Sequence, residues 1–168
     1  MVLSTTELVA LLQDEVRILL HLASKIDREQ LDYRPTPGQR STLELMQYLS
    51  MMGPATLEVA FSGTFSPPAW TVHERAAQKR TLDEALEVIA SHTDVYRTML
   101  ADVSDDDYRA NINPFGAGAT SRGAYIVNSV LGGHAAYRTQ LFTYLKACGR
   151  HELSTINLWR GADAPARA

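Results

Sequence analysis

The sequence predicts an all-α fold, an antiparallel four-helix bundle with long connecting loops, on three observations. Four segments of roughly twenty residues repeat apolar side chains at the helical period of ~3.6, and none keeps up the alternation of a strand. Two Ser/Thr-x-x-Glu signatures also stand directly ahead of apolar runs. The 168 residues are read as one domain, with a core at about 4–149 and a tail over 150–168.

The first helix is expected from about Thr5 to Ile26, capped by Ser4 or Thr5, with Leu8, Leu12, Val16, Leu19, Leu20 and Ala23 along one side. His21 falls off that stripe and reads as solvated. The second starts at Ser41, which with Glu44 forms a capping box, and carries Leu45, Leu49, Met52 and Leu57 toward Phe61. Gly53-Pro54 interrupts it. Proline removes one backbone hydrogen bond and crowds the carbonyl four residues back, so a kink is expected beside Met51 and Met52.

Thr81 and Glu84 cap the third helix, whose stripe is Leu82, Ala85, Leu86, Ile89, Tyr96 and Met99. His92 edges that stripe, and the helix should stop near Ser104-Asp105-Asp106-Asp107, read as a solvated end. The fourth begins around Thr120 or Ser121 and runs through Val127, Val130, Leu131, Leu141 and Leu145 to Gly149. Gly132-Gly133 in its middle cost about 1 kcal/mol each against alanine, so close packing or room for a ligand must favour them. The two intervening stretches, 62–80 and 105–124, are long for a bundle and read as loops that cover a site and meet at one end. Leu158-Trp159 should dock the tail.

A formal charge of −3 with no basic block leaves no footprint for nucleic acid or an anionic membrane. No uncharged run reaches the ~18–20 apolar residues of a membrane span, and the acidic start is unlike a signal peptide. The single Cys148 forms no internal bridge and reads as a small buried hydrophobe. A soluble, cytoplasmic protein is expected. No nucleotide-binding loop or serine-hydrolase elbow is present.

Two stretches carry a family resemblance. "LDYRPTPGQRSTLELMQYL" resembles the approach to the second helix in the DinB-like superfamily, which includes the YfiT-type metalloenzymes, and "RTQLFTYLKACG" resembles that family's last helix. The resemblance implies a four-helix bundle, often a homodimer, with nickel or zinc held by three histidines, and in some members thiol-dependent transferase or isomerase activity. Three neutral imidazoles on facing helices leave coordination positions open for water or substrate.

Carried over by position, the histidine of the second helix falls on Tyr48, and anchoring on Arg138-x-Gln140-Leu141 puts the other two at Gly133 and Tyr137. Anchoring on His134 would give His134 and Arg138, at the cost of a deletion inside a helix that rotates all that follows by ~100°. Under either alignment the triad is absent, so no metal and no cofactor is expected. The resulting expectation is a DinB-like protein that binds a small ligand or partner. The alternative is a metal- or histidine-dependent thiol transferase or hydrolase.

His134 then reads either as a buried neutral histidine bonded to Tyr48 or a carbonyl, or as a candidate catalytic base. Tyr48, Met52, His134 and Tyr137 form the candidate ligand pocket, with Met51 and Phe115 as possible walls. His73, near Trp70, reads as an exposed loop residue or a guard at the pocket entrance.

Overall fold

The computed structural model describes residues 3–165; the first two and last three residues of the predicted domain lie outside the described residues. Four long helices build the bundle: α1 (Thr5–Ala23), α2 (Thr42–Ser62), α4 (Leu82–Leu100) and a last one made of α6 (Arg122–Tyr125), a π-helical stretch (Ile126–Leu131) and α7 (Gly132–Ala147). Capping boxes close the N-termini of α1, α2 and α4 through Ser4–Glu7, Ser41–Glu44 and Thr81–Glu84. Each pair satisfies donors that the first helical turn leaves free.

Helix α2 is buried on nearly every side, from Leu45 and Met46 to Val59 and Ala60, and packs on both α4 and α7. Helix α1 closes the ring against the same two, so α1 faces α2 across the bundle and α4 faces α7. The all-α four-helix bundle is as expected; within its ring two neighbouring pairs are antiparallel and two are parallel. Contacts between α2 and the last helix run in opposite senses, Tyr48 to Tyr137 and Ala60 to Arg122, as do those of α1 with α4, Gln13 to Thr93 and, just past the end of α1, Arg28 to Asp83. Contacts between α1 and α7 advance together, Glu15 with Arg138 and then Lys25 with Arg150, and α2 with α4 likewise, Ser50 with His92 and Gly53 with Tyr96.

The cause is α3 (Pro67–Ala77), in a stretch expected to be loop. Ser66 caps it and Pro67-Pro68 occupy its first turn, where proline's missing N–H costs nothing. Its 11 residues, about 16 Å at 1.5 Å each, return the chain toward the start of α2, so α4 sets off beside α2 in the same direction. The second long connection is also ordered locally, with α5 (Asp105–Arg109) and a short antiparallel pair, β1 (Asn111–Ile112) with β2 (Thr120–Ser121). Asp107 is the capping-box partner of Ser104 rather than a free acid. As expected, the two connections meet, the Phe65 N–H donating to the Pro114 carbonyl at 2.9 Å.

Helix α2 runs through Gly53-Pro54 as one helix. Proline at 54 deprives the Ser50 carbonyl of its helical donor. Two long-range donors replace it, His92 Nε2 from α4 and Arg80 Nη1 ahead of α4, each at 3.3 Å. The tail forms α8 (Thr155–Arg160), lying on α1 and α7. Leu158 packs against the core while Trp159 stays largely exposed, the Arg138 guanidinium 5.4 Å from its ring centroid. His21 is not solvated: it meets Asn157 of α8 at 3.2 Å. Cys148 is only partly buried. No described helix is long and apolar enough to cross a membrane.

Candidate functional site

Two polar features sit inside the bundle. In the first, His134 of α7 is 1% exposed and its Nε2 is hydrogen-bonded to the Tyr96 hydroxyl of α4 at 2.5 Å. The partner is thus neither Tyr48 nor a carbonyl. Only glycine leaves room for this bond on α2, because a Cβ at Gly53 would lie 1.8 Å from Tyr96 Oη and 3.0 Å from His134 Nε2. His92 lies beside Tyr96, and its Nε2 is committed to the Ser50 carbonyl. Burial pushes His134 down to about 3 and His92 down to about 4, with the nearby His92 and Arg138 adding to the effect on His134. Both rings are neutral near pH 7.

A pH dependence follows. In the unfolded chain both histidines titrate near ~6.5, so above that pH neither state binds a proton and the full stability is present. As pH falls below it, the unfolded chain takes up protons that the native one refuses. Stability then drops by up to ~1.4 kcal/mol per pH unit per histidine until the native values are reached. Glu15, held above its ordinary range by burial, offsets part of the loss at the acid end. Urea unfolding at pH 7 and pH 5 should differ by about 2–4 kcal/mol, and His92→Gln or His134→Gln should each remove about half of the slope. A slope that neither replacement changes would rule out these rings as its source.

The second feature is the ion pair of Arg138 on α7 with Glu15 on α1, at 3.3 Å and nearly closed to solvent. Arg138, a ligand position in the His134-anchored alignment, is thereby engaged in holding α7 to α1. Such a pair contributes little net stability, but loss of one partner strands a buried charge.

Tyr48, Met52 and Tyr137 lie elsewhere, along a groove of about 540 Å³ between α2 and the last helix, with Gly132, Gly133 and Ala136 on the α7 side. His134 is not part of it. One residue of helix rotates the side chain by ~100°, which turns His134 into the core while Gly133 and Tyr137, four apart, share the groove. The Tyr48 and Tyr137 rings meet edge to face with centroids 5.1 Å apart. Gly133 has no side chain to hold Met52 off: a Cβ there would lie 3.3 Å from the Met52 sulfur. Just before it, the π-helical turn bonds Gly132 N–H to the Val127 carbonyl, five residues back, in a widened turn of the kind often found at functional sites.

Sequence reasoning missed much of the lining. Phe65 and Trp70 reach the groove from the connection and α3, and Tyr125, Asn128 and Ser129 from the last helix; Phe115, expected as a wall, lines it from the second connection, whereas Met51 lines a recess with Arg40 instead. The aromatic residues of "TFSPPAW" were the available signal, but their contact with α2 rests on α3, whose Ser-Pro-Pro start reads as loop. His73 is also on α3, bonded to Glu58 at 2.8 Å in a recess behind Trp70, and is no part of the groove. Arg40 lies 3.9 Å above the Tyr48 ring and lines a separate recess with Glu44 and Glu74.

Positions 48, 133 and 137, where the resemblance puts the metal-binding histidines, therefore do converge, but on two phenols and a glycine. Burial and the Tyr137 phenol raise Tyr48 above its ordinary range, so it stays protonated and is a poor ligand. This donor set does not fit nickel or zinc. No group of three His, Cys, Asp or Glu suited to a metal ion occurs among the described residues.

No family model and no curated protein matches the chain. Among solved structures, the crystal structure of a DinB-like protein, YjoA, from Bacillus subtilis is similar to it, with a TM-score of 0.65 and 16% identity over 88% of this chain and 94% of that one. The likeness shows a DinB-like fold. At this identity it carries the fold alone, not a site or a reaction.

Proposed function

We propose that this chain, a DinB-like bundle, acts as a binding protein for a small organic ligand, held in the groove where the resemblance puts a three-histidine metal. One observation carries the reading: the groove has the volume of a small-molecule pocket and is walled by aromatic rings with a few polar groups, and no charged side chain lines it. The histidine-dependent alternative has no comparable support. His134 is closed off in the core and bonded to Tyr96, so it has no path to a bound molecule. The proposal includes the two-fold homodimer that the resemblance implies.

The test is a fragment screen by ligand-observed NMR on the unaltered protein and on Ala136→Trp. Ala136 is exposed on the groove wall, so a tryptophan there fills the space without entering the core. Fragments that bind the first and are lost in the second are the expected result. An absence of hits, or hits that the tryptophan leaves untouched, would remove the proposal.

A further inference from the structure

The chemistry of the groove narrows the ligand class, and the inference rests on the binding reading above. Five rings form a continuous run along it. Tyr137 meets Tyr48 at 5.1 Å, Tyr48 meets Trp70 at 6.5 Å, Trp70 meets Phe65 at 5.6 Å and Phe65 meets Phe115 at 5.2 Å between centroids. They come from α2, α3, α7 and the two connections, so the run exists only in the folded chain. Flat conjugated molecules gain most from such a wall, through offset or edge contacts.

Charge argues in the same direction. The charged and titratable side chains beside the groove line neighbouring recesses, Arg40 with Glu44 and Glu74 in one and His73 with Glu58 in the other. An anion entering the groove would give up its hydration with no cation to replace it. A cation would meet rings but no carboxylate, and Arg40 already covers one face of Tyr48. The polar groups that line the groove are the phenols of Tyr48, Tyr137 and Tyr125 with Asn128, Ser129 and Thr56, whose hydroxyl already donates to the Met52 carbonyl at 2.6 Å. Tyr48 remains a hydrogen-bond donor across the physiological range because burial holds its proton in place.

We propose that the groove selects an uncharged, flat, conjugated molecule bearing a hydrogen-bond acceptor such as a ketone, with its ring system along Tyr48, Trp70 and Phe65 and its acceptor toward the phenols of Tyr48 and Tyr137. Size complements this. A bicyclic aromatic ketone fits within the 540 Å³ with space left for a substituent.

Four probes of one shape separate the possibilities: 2-acetylnaphthalene, naphthalene, 2-naphthoate and trimethyl(2-naphthyl)ammonium, titrated while the amide resonances of the groove residues are followed by NMR. The ketone is expected to bind at least about tenfold tighter than the anion or the cation. Tyr48→Phe and Tyr137→Phe keep the rings, and together should weaken the ketone by about fivefold to tenfold while leaving naphthalene unchanged. Circular dichroism of both variants checks the fold. An anion or cation that equals the ketone overturns the ligand class and leaves the binding reading standing. A ketone indifferent to both phenylalanines overturns the acceptor assignment. If none of the four shifts a groove resonance, the class and the binding reading fall together.

Discussion

Gly53→Ala should lower the free energy of unfolding by about 3–5 kcal/mol, the largest loss expected from any single methyl group in this chain. The added Cβ would sit 1.8 Å from Tyr96 Oη and 2.9 Å from its Cζ, and both side chains of the Tyr96–His134 bond are fully buried. Relief requires the phenol to move. That costs repacking of about 1–3 kcal/mol and strands a buried hydroxyl and a ring nitrogen, whose desolvation then goes uncompensated. Urea unfolding monitored by circular dichroism measures the loss. Two controls sharpen it. Tyr96→Phe in the Gly53→Ala background removes the nearest atom and should recover more than about 1 kcal/mol. Gly132→Ala, whose Cβ would meet only the Val127 carbonyl at an ordinary 3.5 Å, should cost nothing or stabilise by up to about 1 kcal/mol. Equal losses at positions 53 and 132 would show that helix propensity, not the Tyr96–His134 bond, sets the effect.

The second large effect concerns metal. Calorimetry of the unaltered protein with nickel and zinc should show no tight one-to-one binding, and His134→Ala should leave that result unchanged, since His134 faces Tyr96. Replacing Tyr48, Gly133 and Tyr137 together by histidine should raise affinity by at least about 100-fold, because three imidazoles from two facing helices supply the nitrogen donors these metals prefer. The geometry favours it: positions 133 and 137 are one turn apart on α7, opposite position 48 on α2. A Cβ at 133 would meet only the flexible end of Met52. Tight binding by the unaltered chain that disappears in His134→Ala would reverse the assignment of the site. A triple variant that folds and binds no metal would instead show that the positional match with the family is wrong.

The four long helices were legible because their causes are local. A capping box is complete within four residues, and an apolar stripe repeats within one turn, so Ser41–Glu44 and Thr81–Glu84 mark helix starts with no knowledge of the rest of the chain. Tyr48, Gly133 and Tyr137 could be aligned with one another from short motifs. Phe115 was also within reach as a wall, but Phe65 and Trp70 were not, because they reach the groove only through α3 and the meeting of the two connections. The Ser-Pro-Pro that reads as a loop signal is equally a helix start, and sequence gives no weight between the two.

The sequence by itself thus determined the fold class, the starts of the four long helices, and the substitution of two phenols and a glycine at the positions where the resemblance puts metal-binding histidines. The tertiary structure alone decided the rest. Pro54 is tolerated inside α2 because the carbonyl it deprives finds donors on His92, 42 residues away, and on Arg80. His134 is a core residue rather than a groove residue because one helical step turns it toward Tyr96, across a gap that Gly53 keeps open. And α2 runs parallel to α4 because α3 carries the chain back along the bundle. Each of these depends on which distant segment supplies the missing partner, and a buried polar group or an unpaired carbonyl reveals only that a partner is needed, not where along the chain it lies.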